Sequence, residues 1–228
     1  LAVVTEAVDH LGGRVNLIGD SQGGWLGTIY TALHPERVHS LTVAGAPIDF
    51  HVDQPALSVL AHAPRGAAAT TIDFWYGAAR AVGVPTTDPI GEIERAMTLL
   101  GLLHDPDEVA RWEAERHWFT WKQEIPSAFR EWIMRHLFVG NELVAGTLKA
   151  EGRVVDLSAV ECPVHLIAGS ADPIATPRQV TALAEHVSTP PERITTTIAD
   201  AGHIGLFIGR RALTEVWTPH ARRVAASA

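Results

Sequence analysis

The 228-residue sequence predicts an α/β protein: a parallel sheet of about four strands flanked by helices, with a helical insertion. Three observations predict it. Short β-branched apolar runs alternate with stretches of helical periodicity, the order that produces parallel strands covered on both faces. A glycine-rich turn, "GDSQGG" at residues 19–24, joins the first apolar run directly to an apolar-periodic stretch. A long segment of different texture, residues 51–155, then separates the second run from the third.

The elements follow in order. Residues 1–11, "LAVVTEAVDHL", place Leu1, Val4, Ala7, Val8 and Leu11 on one helical face, and Gly12 and Gly13 stop the helix. "RVNLIG" is a short strand. After the turn, residues 22–34 carry Trp25, Leu26, Ile29, Tyr30 and Leu33 at helical spacing and end at "HPERV", before the strand "SLTVAGAP". Two later runs, "PVHLIAG" (163–169) and "RITTTIA" (193–199), flank the helix-like "TPRQVTALAEHV". Residues 1–50 and 156–228 therefore form the sheet-bearing core.

The segment 51–155 holds Trp75, Trp112, Trp118, Trp121 and Trp132, five of the seven tryptophans. Its runs "EIERAMTLLGLL", "DPDEVARWEAERHWFTWK" and "SAFREWIMRHLFVGNELVAG" are helical in pattern, punctuated by Pro85, Pro89, Pro106 and Pro126. It reads as a helical cap over the carboxyl edge of the sheet, with Trp118 and Trp121 as substrate-contacting residues. The plainer reading makes the tryptophans a local core without contact to substrate.

Composition excludes several classes. With 46% hydrophobic and 19% charged residues the chain belongs to the globular class. A net charge of −8 disfavours a surface that gathers phosphates, so nucleic acid is not an expected partner. No apolar run reaches the ~18 residues of a membrane-spanning helix. The single cysteine, Cys162, suits a reducing compartment, and a cytoplasmic location is the expectation. Cys162 precedes Pro163 at the start of a strand, with no turn to present it, and reads as an inert thiol. H-E-x-x-H, C-x-x-C and phosphate-loop motifs are all absent, so no metal and no cofactor is expected.

The turn carries the chemistry. "GDSQG" fits G-x-S-x-G, in which a serine on a strained strand-to-helix turn lifts its hydroxyl above the sheet. Gly24 lets the helix begin close to neighbouring backbone. The amide of Gln22 would point at an oxyanion, assisted by the positive end of the helix. A serine hydroxyl needs a base, and the base needs a third group to hold it. In α/β-hydrolase order the acid and then the histidine follow the serine. "LIAGSADPI" supplies Asp172 after the third strand, and "ADAGHIG" supplies His203 after the fourth. Both stand at carboxyl ends of strands, the edge where open parallel sheets place their sites. Asp200 competes with Asp172 as the acid. His51 and His62 read as solvated loop residues.

These residues resemble the polyhydroxyalkanoate synthase and intracellular depolymerase group of α/β-hydrolases, over nearly the whole chain. "GDSQGG" resembles the synthase box G-x-C-x-G-G, and "VAGAPIDF" is similar to the synthase segment T-P-V-D-F or T-L-L-D-F. Residues 141–177, "NELVAGTLKAEGRVVDLSAVECPVHLIAGSADPIATP", resemble N-x-L-x-x-G-x-L, V-D-L, a proline before the strand and A-G-x-x-D-x-I. "AGHIGLFIGR" resembles the G-H-I segment. The resemblance implies Ser21 as nucleophile, Asp172 as acid and His203 as base, acting on a polyester or hydroxyacyl ester.

One departure matters: the synthases use cysteine where this chain has Ser21. A thiolate both attacks and leaves easily, which suits chain growth by thioester exchange. A serine acyl-enzyme released by water is the esterase cycle. The expectation is a serine hydrolase. A synthase-like acyltransferase using hydroxyacyl-CoA and a noncatalytic granule-associated protein are the alternatives, and the oligomeric state, a homo-oligomer included, is open. In the α/β-hydrolase fold several strands precede the serine turn, and the loop after the third supplies a second oxyanion donor. Here one helix and one strand precede Ser21, and the chain opens on Leu1. The expectation is therefore a partial fold, its first strand an open edge and its second oxyanion donor upstream.

Overall fold

A computed structural model describes residues 1–53, 105–107, 109–110 and 126–226. The chain divides into two compact units, Leu1–Val59 with Glu131–Ala228, and Leu60–Arg130. Trp118, Trp121 and His62, and with them most of the expected cap, lie outside the described residues.

The first unit is built on a four-stranded parallel sheet, as expected from the alternation of runs, its strands in the order β1 (Val15–Asp20), β2 (Val38–Ala44), β5 (Val164–Gly169) and β6 (Ile194–Ala199). Helix α1 (Ala2–His10) buries Val8 and closes with Gly13 N–H donating to Val8 O, Gly12 and Gly13 both at positive φ. Strand β1 (Val15–Asp20) leads through Ser21 into α2 (Gln22–Leu33), and β2 (Val38–Ala44) follows a 3-10 turn at Pro35–Arg37. The described part of the insertion includes α3 (Ser127–Ile133) and a π-helical turn, Met134–Val139. The periodicity predicts helix through Gly146; instead Asn141, at φ 45°, turns the chain away. There its side chain is fixed, accepting from Phe50 N–H and donating to Asp49 Oδ1.

A two-stranded hairpin, β3 (Lys149–Ala150) and β4 (Arg153–Val154), comes next. Then follow β5 (Val164–Gly169), α4 (Pro177–Thr181) and β6 (Ile194–Ala199). The run after Thr176 is a shorter α-helix than its pattern predicts, passing into a 3-10 turn at Ala182–Glu185. Its start is fixed by a reciprocal capping box between Thr176 and Gln179. Helices α5 (His203–Ile208), α6 (Arg210–Ala212) and α7 (Thr218–Ala226) close the described chain.

Burial follows strand position. Every residue of β5 and all but His39 of β2 are buried, whereas the edge strands β1 and β6 expose Ile18 and Ile198. On one face Leu17 and Leu41 stand beside each other and beneath Gly27 of α2, where the absent side chain lets the helix approach. The opposite face is polar in its middle. Thr42, His165 and Thr195 occupy adjacent register positions on β2, β5 and β6, and α7 lays His220 over them.

Thr42 Oγ1 and His220 Nε2 lie 2.9 Å apart, His165 Nδ1 and Thr195 Oγ1 2.7 Å apart, and the two imidazoles meet edge to face at 4.9 Å. Trp217 flanks His220. Burial, then the neighbouring His220 and Arg223, push His165 down to about 4, and burial and Arg223 lower His220. Both rings are neutral at pH 7. A base whose folded pKa is depressed contributes stability that is full above its unfolded value and lost as pH falls toward the folded one. Stability should thus decline from pH 6.5 toward 4, with His165 contributing up to about 3 kcal/mol. Urea midpoints across this range should fall more steeply for the parent than for His165→Asn. Parallel curves would show that the buried pair is not responsible.

Candidate active site

The carboxyl edge of the sheet gathers the three residues singled out in the sequence. Ser21 follows β1 with φ 46° and ψ −118°, a conformation that non-glycine residues rarely hold. Its N–H donates to Ala44 O of β2 at 2.8 Å, and its O accepts from Gly24 N–H at 3.0 Å, so the bend is tied on both sides.

Two glycines make the bend possible. A Cβ on Gly19 would collide with the carbonyl of Gly23, and one on Gly24 with the Cβ of Ala46. Gly24→Ala should accordingly destabilise the fold by about 1–3 kcal/mol, the range for overpacking a core. A urea midpoint unchanged from the parent would disprove the close approach of α2 to the loop after β2.

His203 is the first residue of α5 and 9% exposed; Asp172, three residues beyond β5, has a wholly buried side chain. His203 Nδ1 lies 2.7 Å from Asp172 Oδ2, and His203 Nε2 lies 3.0 Å from Ser21 Oγ. Asp172 Oδ1 accepts from Ile174 N–H at 2.8 Å and Ala175 N–H at 3.0 Å. A carboxylate so held accepts the hydrogen bond of Nδ1–H and fixes the proton on that nitrogen, which leaves the lone pair of Nε2 facing the serine hydroxyl. The line Asp172–His203–Ser21 has the geometry of a hydroxyl, its base and the group that orients the base.

Gln22 opens α2, so its N–H has no intrahelical acceptor and stands beside Ser21 at the positive end of the helix. Asp200, the competing acid, is exposed and pairs with Arg211 at 2.9 Å, pointing to the surface. His51 joins its Nε2 to the carbonyl of Phe138. Burial raises the Cys162 thiol above its ordinary pKa, which makes it a poorer nucleophile. Among the described residues no group of three or more His, Cys, Asp and Glu is placed to hold a metal ion, and no helix is long and apolar enough to cross a membrane.

Sequence reasoning missed Phe207, whose ring meets the His203 imidazole edge to face at 5.4 Å. The available signal was its spacing of four from His203, which on a helix places two side chains together. It also missed Gln179, 1% exposed, whose carbonyl accepts from Ile48 N–H and Asp49 N–H and whose side chain closes the capping box after Asp172.

With this fold and edge, the chain belongs to the alpha/beta hydrolase fold family, whose model it matches over residues 1–209. Solved structures agree at the level of fold. A monoacylglycerol lipase from Paleococcus ferrophilus, 15% identical, covers 100% of this chain and 74% of its own at a TM-score of 0.53. Alpha/beta hydrolase domain-containing protein 10 from mouse, 17% identical, covers 99% and 67% at 0.53.

Within the family the chain is similar to poly(3-hydroxyalkanoate) polymerase subunit PhaC. It is 28% identical to that of Allochromatium vinosum over 206 residues and 27% identical to that of Thiocystis violacea over 207. Each alignment covers 89% of this chain and 57% of the relative, so the chain spans little more than half the length of these relatives.

Proposed function

We propose that this chain carries the active site of a serine hydrolase that cleaves ester bonds of polyhydroxyalkanoate or short hydroxyacyl oligomers. The observation that supports the reading best is the hydrogen-bonded line from Asp172 through His203 to Ser21, with a hydroxyl rather than a thiol at its end. Ser21 Oγ attacks the ester carbonyl while Nε2 of His203 takes its proton. Asp172 stabilises the imidazolium that forms. The oxyanion is held by the Gln22 N–H. Collapse expels the alcohol, which receives the proton from His203, and leaves an acyl group on Ser21. Water, activated by the same Nε2, then releases the hydroxyacid.

Residues 51–155 serve in this reading as the cap, with Trp118 and Trp121 contributing apolar contact along the acyl chain.

A second reading is favoured by the relatives, which are named polymerase subunits: acyl transfer from hydroxyacyl-CoA to a growing chain. The two differ in the acceptor of the acyl group. The purified protein should be assayed side by side on amorphous polyhydroxybutyrate granules, p-nitrophenyl esters and hydroxyacyl-CoA. Release of hydroxyacid from granules supports hydrolysis. CoA release with polymer growth and no granule hydrolysis would replace it with acyl transfer. A protein that neither turns over nor is labelled by a serine-directed phosphonate would be noncatalytic.

A further inference from the structure

Strand β2 alone among the four sheet strands sends no candidate side chain to the site, yet it lies between β1, which leads to Ser21, and β5, which leads to Asp172. His203 follows the far edge strand β6 and must reach back across the end of β2 to meet Ser21. The residue at that crossing is Gly45. Its N–H donates to Ile167 O of β5 at 2.8 Å, and the preceding carbonyl, Ala44 O, accepts from Ser21 N–H. Gly45 has φ +52°, and a Cβ there would stand 2.8 Å from Phe207 Cζ and 3.2 Å from Leu206 Cδ2. Phe207, in turn, lies one turn beyond His203 with its ring against the imidazole and packs on the cluster of Ala44, Ile167, Ala199 and Leu206.

The imidazole therefore has three supports. Two are polar and lie at its nitrogens, Asp172 and Ser21. The third is the flank of Phe207. Hydrogen bonds at Nδ1 and Nε2 leave the ring free to rock about the line joining the two nitrogens. An aromatic ring set at 86° to its plane opposes that motion.

We propose that Gly45 and Phe207 form a positioning pair for His203. The absent side chain of Gly45 gives the Phe207 ring its place over β2, and the ring holds the imidazole in line with Ser21. The proposal rests on the reading of Ser21 and His203 as nucleophile and base, and neither member of the pair touches the reacting atoms. A side chain at position 45 meets the tip of Phe207 most closely, with Leu206 next, and displaces the ring that flanks the imidazole, so the end of β2 communicates with the base.

The test measures the rate of covalent labelling by a serine-directed phosphonate, together with kcat and KM for p-nitrophenyl butyrate and the melting temperature. Phe207→Ala should slow labelling and kcat tenfold or more, with KM within about twofold, because misalignment of a base affects the chemical step more than binding. Phe207→Leu, which keeps an apolar flank but lacks the ring tip, should lose less. Gly45→Ala should slow labelling about as much as Phe207→Ala. Adding Phe207→Leu to Gly45→Ala should restore the rate of Phe207→Leu alone, the non-additivity of residues that act through one contact.

Variants that melt lower but label at the parent's rate would overturn the proposal and leave the pair a packing contact. Additive losses in the double variant would assign the Gly45 effect to its own backbone. Should Gly45→Ala fail to fold, the Phe207 variants alone decide between positioning and packing. If the parent itself is never labelled, the reading of Ser21 and His203 has failed, and the pair has no base to position.

Discussion

Replacing Ser21 with alanine is expected to lower ester turnover by about 10⁶-fold, the scale on which removing the nucleophile of such a site acts. Among the described residues the hydroxyl is the group hydrogen-bonded at Nε2 of His203, and without it no acyl-enzyme can form. The fold should survive. Ser21 makes no side-chain hydrogen bond to cap α2, and the backbone bonds that secure the bend, to Ala44 and Gly24, are unaffected. The loss of one hydrogen bond costs about 1 kcal/mol, so the urea midpoint should shift little. Phosphonate labelling should vanish along with turnover. Full activity in Ser21→Ala would remove the nucleophile assignment and with it the proposed acyl-enzyme.

How much of this was legible in the sequence depends on the kind of signal. The strands were, because β2 and β5 are short runs rich in Val, Leu and Ile, while the helix after Ser21 announced itself by periodicity and by the glycine-rich turn that leads into it. The strand-end positions of Asp172 and His203, with the resemblance to A-G-x-x-D-x-I, already favoured Asp172 over its competitor Asp200. What the sequence did not carry is the loop geometry that favours the same residue: two backbone N–H groups turn the Asp172 carboxylate inward, whereas Arg211 draws Asp200 out.

Other features carry weak or misleading signals. Nothing near His165 in "PVHLIAG" marks it as buried; it is buried because Thr195 of β6 and His220 of α7 complete a polar layer from far along the chain. The hairpin β3–β4 has a local signal, Glu151 and Gly152 both at positive φ in a two-residue turn, but its two-residue strands are too short to show alternation. Gly45 looks like ordinary loop punctuation. Its meaning depends on Phe207, which no pattern of spacing connects to it.

Asp172→Asn tests the orienting group, and the geometry dictates its outcome. Oδ1 faces two donors, the N–H groups of Ile174 and Ala175, and Oδ2 faces His203 Nδ1. An asparagine here keeps its carbonyl toward the backbone donors, since the opposite orientation would set an amide N–H₂ against two N–H groups in a buried place. Its N–H₂ then meets Nδ1, which must become an acceptor. The proton moves to Nε2, so the imidazole donates to Ser21 Oγ and can no longer take its proton. Turnover should fall about 10⁴-fold while the overall fold is retained. Asp200→Asn should stay within about twofold of the parent, because its pair with Arg211 is exposed and screened by solvent and Asp200 points away from His203. Steady-state kinetics of both variants on one p-nitrophenyl ester decide the matter. A dead Asp200→Asn beside an active Asp172→Asn would transfer the acid's role to Asp200 and require His203 to turn outward in the working enzyme.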